Sequence, residues 1–158
     1  MPTNFLYTPG TSNSGLLTSV VTLQTTELNA LASGALIISS VGGTSGLFTN
    51  SNTGQAIWGE LYLTLGAVTA MSAGANLAGW WLASPDSGTT LEALTLQPPR
   101  SPDWIIPLPA TTGSATFKSA GLVRIPALQF KVLVMDNSGQ SFTATGNTLK
   151  LAPIAVQY

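Results

Sequence analysis

A chain of 158 residues suits one domain, yet only 7% of it is Asp, Glu, Lys or Arg, against about 25% in an ordinary soluble domain. The apolar fraction of 44% is enough for a core, and at a net charge of −1 the chain lacks the charge excess that keeps disordered sequences open. With no Cys and no His, it excludes disulfides, thiolate chemistry, a Ser-His-Asp triad and the commonest zinc ligands.

Ser and Thr outnumber the charged residues more than threefold, so hydroxyls and amides cover the surface. A near-neutral surface resists association weakly and suits a protein whose surface is docked in an assembly. The few charges are segregated. Residues 1–99 hold four acids and no base, whereas residues 100–158 hold five bases and two acids, giving −4 and +3. Five dispersed bases do not make the phosphate-binding stripe of a nucleic-acid protein. No apolar stretch reaches the roughly 18 residues of a membrane span, and the N-terminus lacks the pattern of a signal peptide.

In chain order, residues 1–15 are rich in Pro, Gly, Ser, Thr and Asn and read as an extended arm, with Phe5, Leu6 and Tyr7 as anchors on a neighbouring subunit. Residues 16–158 read as one β-sandwich domain. A strand is expected over 17–24, then a short helical turn over 27–31 capped by Thr25 or Thr26 and ended by Gly34. A strand over 35–39 precedes a polar, Gly-rich loop over 42–54. The clearest strand covers 57–65, with Ile57, Leu61, Leu63 and Leu65 on one face and Trp58, Glu60, Tyr62 and Thr64 on the other. A strand over 77–83, a Pro-Asp-Ser-Gly turn and a returning strand over 89–96 follow.

Five of the ten prolines lie in 97–109, which reads as a crossing loop with an edge strand at 104–106. Strands over 116–125 and 128–135, a turn at 136–139, and strands over 142–145 and 147–151 complete the chain. Eight or nine short strands and at most one short helix describe an all-β sandwich, with a jelly roll as the expected form. Adjacent Trp80 and Trp81 must point to opposite faces of their strand, one into the core.

Three bases alternate against apolar neighbours and are expected on an outer face of the C-terminal sheet: Arg124, Lys131 and Lys150. The row Trp58, Glu60, Tyr62 places an acid between two aromatics, an arrangement shared by protein interfaces and sugar-binding platforms and equally compatible with a packed core. One enzymatic route survives the composition, a pair of carboxylates of the glycosidase kind from Glu60 and Glu92. A carboxylate on the polar face of a strand is more often simply solvated. The residues point to no catalytic group, no cofactor and no metal site.

Several stretches, LQTTELNAL at 23–31, SVGG at 40–43, IWGEL at 57–61, GWWLASPDSGTT at 79–90, WIIPLP at 104–109 and GNTL at 146–149, together resemble small virion proteins of tailed bacteriophages. The resemblance covers most of residues 20–151 and rests on texture and order. It implies a cement, or decoration, protein of jelly-roll form on the capsid exterior. Such a protein binds the major capsid protein and copies of itself, as a homodimer or homotrimer, and carries no catalytic residue. A lectin-like module using the Trp58 and Tyr62 face, or a tail-associated structural protein, are the alternatives.

Overall fold

The computed structural model describes residues 6–9, 20–40, 46–50, 56–68, 71–86, 90–91, 97–110, 113–127 and 129–157, with the backbone alone for 6–9, 68 and 155–157. Its strands are β1 (Leu6–Pro9), β2 (Val21–Gln24), β3 (Leu36–Ile38), β4 (Phe48–Thr49), β5 (Trp58–Val68), β6 (Asn76–Ser84), β7 (Trp104–Pro107), β8 (Gly113–Lys118), β9 (Val123–Arg124), β10 (Gln129–Asn137) and β11 (Thr148–Gln157).

In the first sheet, β1 and β2 line one edge of β11, β5 lies on its other edge, and β8 and β9 line the far edge of β5. In the second, β3 and β4 line one edge of β10, followed by β6 and then β7. Every pairing is antiparallel. The pairs nest: β6 with β7, β5 with β8 and β9, β3 and β4 with β10, and β2 with β11. A long hairpin paired in this way and rolled into two sheets is a jelly roll, as the strand count had suggested.

Alternation fills the space between the sheets. Leu61, Leu63 and Leu65 of β5 face Phe130, Val132 and Val134 of β10 across a core that also takes Leu149, Leu151, Trp81 and Trp104. Each fully buried leucine contributes about 2 kcal/mol. Phe130 stands edge-on to Trp81, at 5.1 Å between centroids, and stacks with Phe48 at 5.7 Å. Gly79 sits opposite Trp104, and a Cβ there would lie 2.0 Å from the indole ring, so the small residue lets the ring lie flat on β6.

Several expectations are corrected. Residues 142–145 form no strand: the Asn147 side chain donates to Thr143 O at 2.7 Å and to Asn29 Oδ1 at 3.0 Å, and its Oδ1 accepts from Gly66 N. The backbone of this segment is tied to the neighbouring turn, Ala30 N donating to Thr143 O and Phe142 N to Leu31 O, both at 2.9 Å, and the Asn147 bonds add to these. The loop expected over 42–54 contains β4, seated by the Phe48–Phe130 contact. The strand expected over 116–125 divides into β8 and β9, where Ser119 turns the chain by donating its hydroxyl to Gly121 O. The helical turn is a single 3-10 turn, Thr26–Leu28, and Thr25 supplies no side-chain cap. Instead the Glu27 carboxylate reaches back to Thr25 N and also accepts from Ser40 N and its hydroxyl. The returning strand expected over 89–96 lies largely outside the described residues, and Thr90 and Leu91 are not in a strand.

Candidate functional site

The outward residues of β5 form the row anticipated from the sequence, and the register shows what stands beside each of them. Trp58 lies opposite Ile154 on one side and Arg124 on the other. Tyr62 lies between Lys150 and Lys118, and Thr64 between Thr148 and Thr116, with the two hydroxyls of Thr64 and Thr116 3.0 Å apart. Trp58, Glu60, Tyr62, Arg124 and Lys150 therefore share one face, joined by Lys118, whose place there follows from the β5–β8 pairing.

The Tyr62 hydroxyl donates to Glu60 Oε2. That bond, followed by burial and by the carboxylate's charge, holds the Tyr62 phenol above its ordinary pKa. Glu60 is thus engaged by its neighbour, and Glu92, the other half of the carboxylate pair, lies outside the described residues. Phe5 also lies outside them. Leu6 and Tyr7 belong by their backbone to β1, paired with Gln157 and Val156 of the same chain.

One end of this face is apolar. Trp58 is 41% exposed, and Val20 and Leu122 are exposed on the same side, whereas Ile57, also exposed, alternates toward the inner side. Ile57 precedes β5, Leu122 precedes Val123 opposite Gly59, and Val20 precedes Val21 opposite Leu151.

Lys131 does not join this face. It lies on β10, opposite Leu82, and by alternation points from the outer side of the other sheet. The basic face expected from three lysines and arginines is thus split between opposite sides of the sandwich, because β10 and β11 belong to different sheets. Around Lys131 the outer side is apolar and covered: Ala78, Trp80, Leu82 and Leu133 form a second buried cluster with Leu91 packed against it. The Trp80 indole donates to Arg100 O at 3.1 Å, tying the crossing segment over this face. Of the paired tryptophans, Trp81 is the core residue and Trp80 the covered one.

Sequence reasoning did not single out Arg100 and Asp103. Asp103 Oδ2 accepts from Trp81 N at 2.7 Å, Arg100 Nη2 donates to Trp81 O at 2.9 Å, and Arg100 Nη1 donates to Asp103 Oδ1 at 2.7 Å. The ion pair thus occupies both backbone groups of Trp81 just past Gly79, where the pairing with β7 ends. An Arg and an Asp three residues apart in a proline-rich crossing loop was the only sequence signal. Both line an open cleft of about 730 Å³ between the two sheets, together with Asn50, Ala56, Ile57, Trp81, Ala83 and residues 124–127.

Among the described residues no group of three His, Cys, Asp or Glu side chains is placed to hold a metal ion, and no helix is long and apolar enough to cross a membrane. Compared with protein-family models, curated proteins and solved structures, the chain finds no match.

Proposed function

We propose that the protein is a non-enzymatic structural component of a tailed-phage particle, which binds the outer surface of the capsid and bridges major capsid protein subunits. The observation that carries this reading is the outer face of the β11–β5–β8 sheet. It combines an exposed Trp58, apolar neighbours at one end and a thin set of charges on a rigid central strand. An aromatic anchor with an apolar surround and a polar margin is the usual composition of a protein interface. The jelly roll, the charge-poor surface and the resemblance of the sequence to phage virion proteins support the same reading.

The mechanism is mechanical. A standard interface buries about 1,600 Å², and repetition of one modest contact at symmetry-related sites of a shell multiplies its effect. Self-association as a homodimer or homotrimer would let each unit span several capsid subunits. The test is the copy number of this polypeptide in density-purified particles, measured by quantitative mass spectrometry against the major capsid protein. A ratio of the same order as the capsid protein is expected. A few copies per particle would assign the chain to the tail, and absence from particles would overturn the virion reading.

A further inference from the structure

The sandwich is closed by large side chains along most of its length but open where β5 begins. Ala83 shows this: by alternation it lies on the inward side of β6, two residues past Trp81, yet it is exposed. The resulting cleft, about 730 Å³, falls within the range of sites that hold small molecules. Ala56, Ile57, Ile125 and Pro126 provide apolar wall, and Asn50, Trp81, Arg100, Asp103 and Arg124 provide the polar groups.

Two of those groups are buried and incompletely bonded. The Trp81 indole N–H has no acceptor, and Asn50 Oδ1 has no donor, although Asn50 Nδ2 is fully used on Ala56 O at 2.9 Å and Pro126 O at 2.7 Å. Buried polar groups are nearly always satisfied, and both residues line one cleft, where a small side-chain shift would bring an orphan donor and an orphan acceptor to a partner from outside the fold. A hydroxyl accepts from an indole and donates to an amide oxygen with the same oxygen atom. Next to them the Arg100–Asp103 pair is fixed by the Trp81 backbone and presents donors and a carboxylate side by side, a pattern suited to neighbouring hydroxyls. Arg124 makes no ion pair among the described residues and gives the lining a net charge of +1 over Arg100 and Asp103.

We infer that this cleft binds a saccharide, with hydroxyls placed on Trp81, Asn50 and the Arg100–Asp103 pair, and that Arg124 favours a sugar bearing a carboxylate. The site opens between the sheets rather than on the outer face of β5, with Arg124 bordering both, and it does not depend on capsid attachment.

The test is a titration of the ¹⁵N-labelled full chain with glucose, N-acetylglucosamine and glucuronate, reading the four tryptophan indole signals and the Asn50 side-chain amide. Saturable movement of the Trp81 and Asn50 signals is expected, with glucuronate binding up to about five-fold more tightly than glucose, as one exposed charge contact allows. Ala83→Phe, which places a ring in the cleft and removes none of the hydrogen bonds named above, abolishes the movement while the spectrum stays dispersed. Arg124→Gln leaves glucose binding and removes the preference for glucuronate. No saturable movement with any of the three sugars up to about 50 mM, beyond the millimolar range of a weak site, overturns the inference. So does movement confined to the Trp58 indole, which would put the sugar on the outer face.

Discussion

On the outer face of the β11–β5–β8 sheet, Trp58 stands 41% exposed; on the outer face of the second sheet, Trp80 is 0% exposed. Both project away from the core, and both come from strands that alternate apolar and outward residues. What separates them is a stretch of chain. Leu91 and the crossing segment over 97–103 lie over Trp80, held by the indole bond to Arg100 O and by the Asp103 and Arg100 bonds to Trp81. Nothing among the described residues lies over Trp58. An aromatic on the outer side of a sheet therefore becomes either a second core or an open surface according to where a distant loop passes.

The largest effect is expected at Trp80. Trp80→Ala should lower stability by about 3–5 kcal/mol, as expected for a fully buried aromatic with little room to collapse, measured by urea unfolding. A loss below about 1 kcal/mol would show that the crossing segment does not pack as described. Asp103→Ala should cost about 1–2 kcal/mol in the same experiment, since Trp81 N loses its acceptor and Arg100 its partner at a half-exposed site. It should also speed proteolysis within 97–103.

The second sheet carries a buried carboxyl that gives it a pH signature in the acid range. Asp136 on β10 is buried with Oδ2 unpartnered, and burial holds its carboxyl above the ordinary value of 3.8, against the opposing effect of the Ser138 bonds. Folded Asp136 therefore keeps its proton to higher pH than unfolded Asp136. Its contribution to stability is fully present below about 3.8 and lost as pH rises through the folded value.

Asp136→Asn should thus raise Tm at neutral pH by about 2–4 °C, and the gain should vanish in acid. Glu27 has the opposite sign. Burial raises its pKa, but the bonds from Ser40 and Thr25 outweigh burial and leave it lowered, so its contribution is lost as pH falls. The difference between wild type and Asp136→Asn, rather than the wild-type curve, isolates the β10 carboxyl. A gain that is unchanged between acid and neutral pH would refute the assignment.

The smallest effect belongs to Trp58. Trp58→Ala should change stability by no more than about 0.5 kcal/mol, because the ring is open to water in the isolated chain. It should nevertheless weaken attachment to capsids in a co-sedimentation assay if the face is the docking surface. A large loss of stability in isolation would mean that Trp58 is structural and that this face is not free.

Local periodicity determined much of this protein. The alternation at 61–65 predicts the buried leucines of β5, the proline cluster predicts an edge strand at 104–106 that the structure extends by one residue, and the row Trp58, Glu60, Tyr62 follows from a two-residue repeat. These are properties of neighbouring residues on one strand, and side chains on a strand alternate whatever the strand packs against. Adjacent Trp80 and Trp81 had to face opposite ways for the same reason.

The tertiary structure decided which strands share a sheet. Lys131 and Lys150 read alike in sequence, yet β10 and β11 enter different sheets and put the two lysines on opposite sides of the molecule. The cleft is likewise invisible locally, since Asn50, Trp81, Arg100 and Arg124 meet there from four separate parts of the chain. Residues 142–145 have the composition of a strand, but Phe142 and Thr143 bond the backbone of Leu31 and Ala30 beside the 3-10 turn, and Asn147 adds side-chain bonds to Thr143 O and Leu28 O. Hydrophobic alternation records which face of a strand is buried. The partner of that face is set by chain closure and long-range hydrogen bonding, and a linear pattern contains neither.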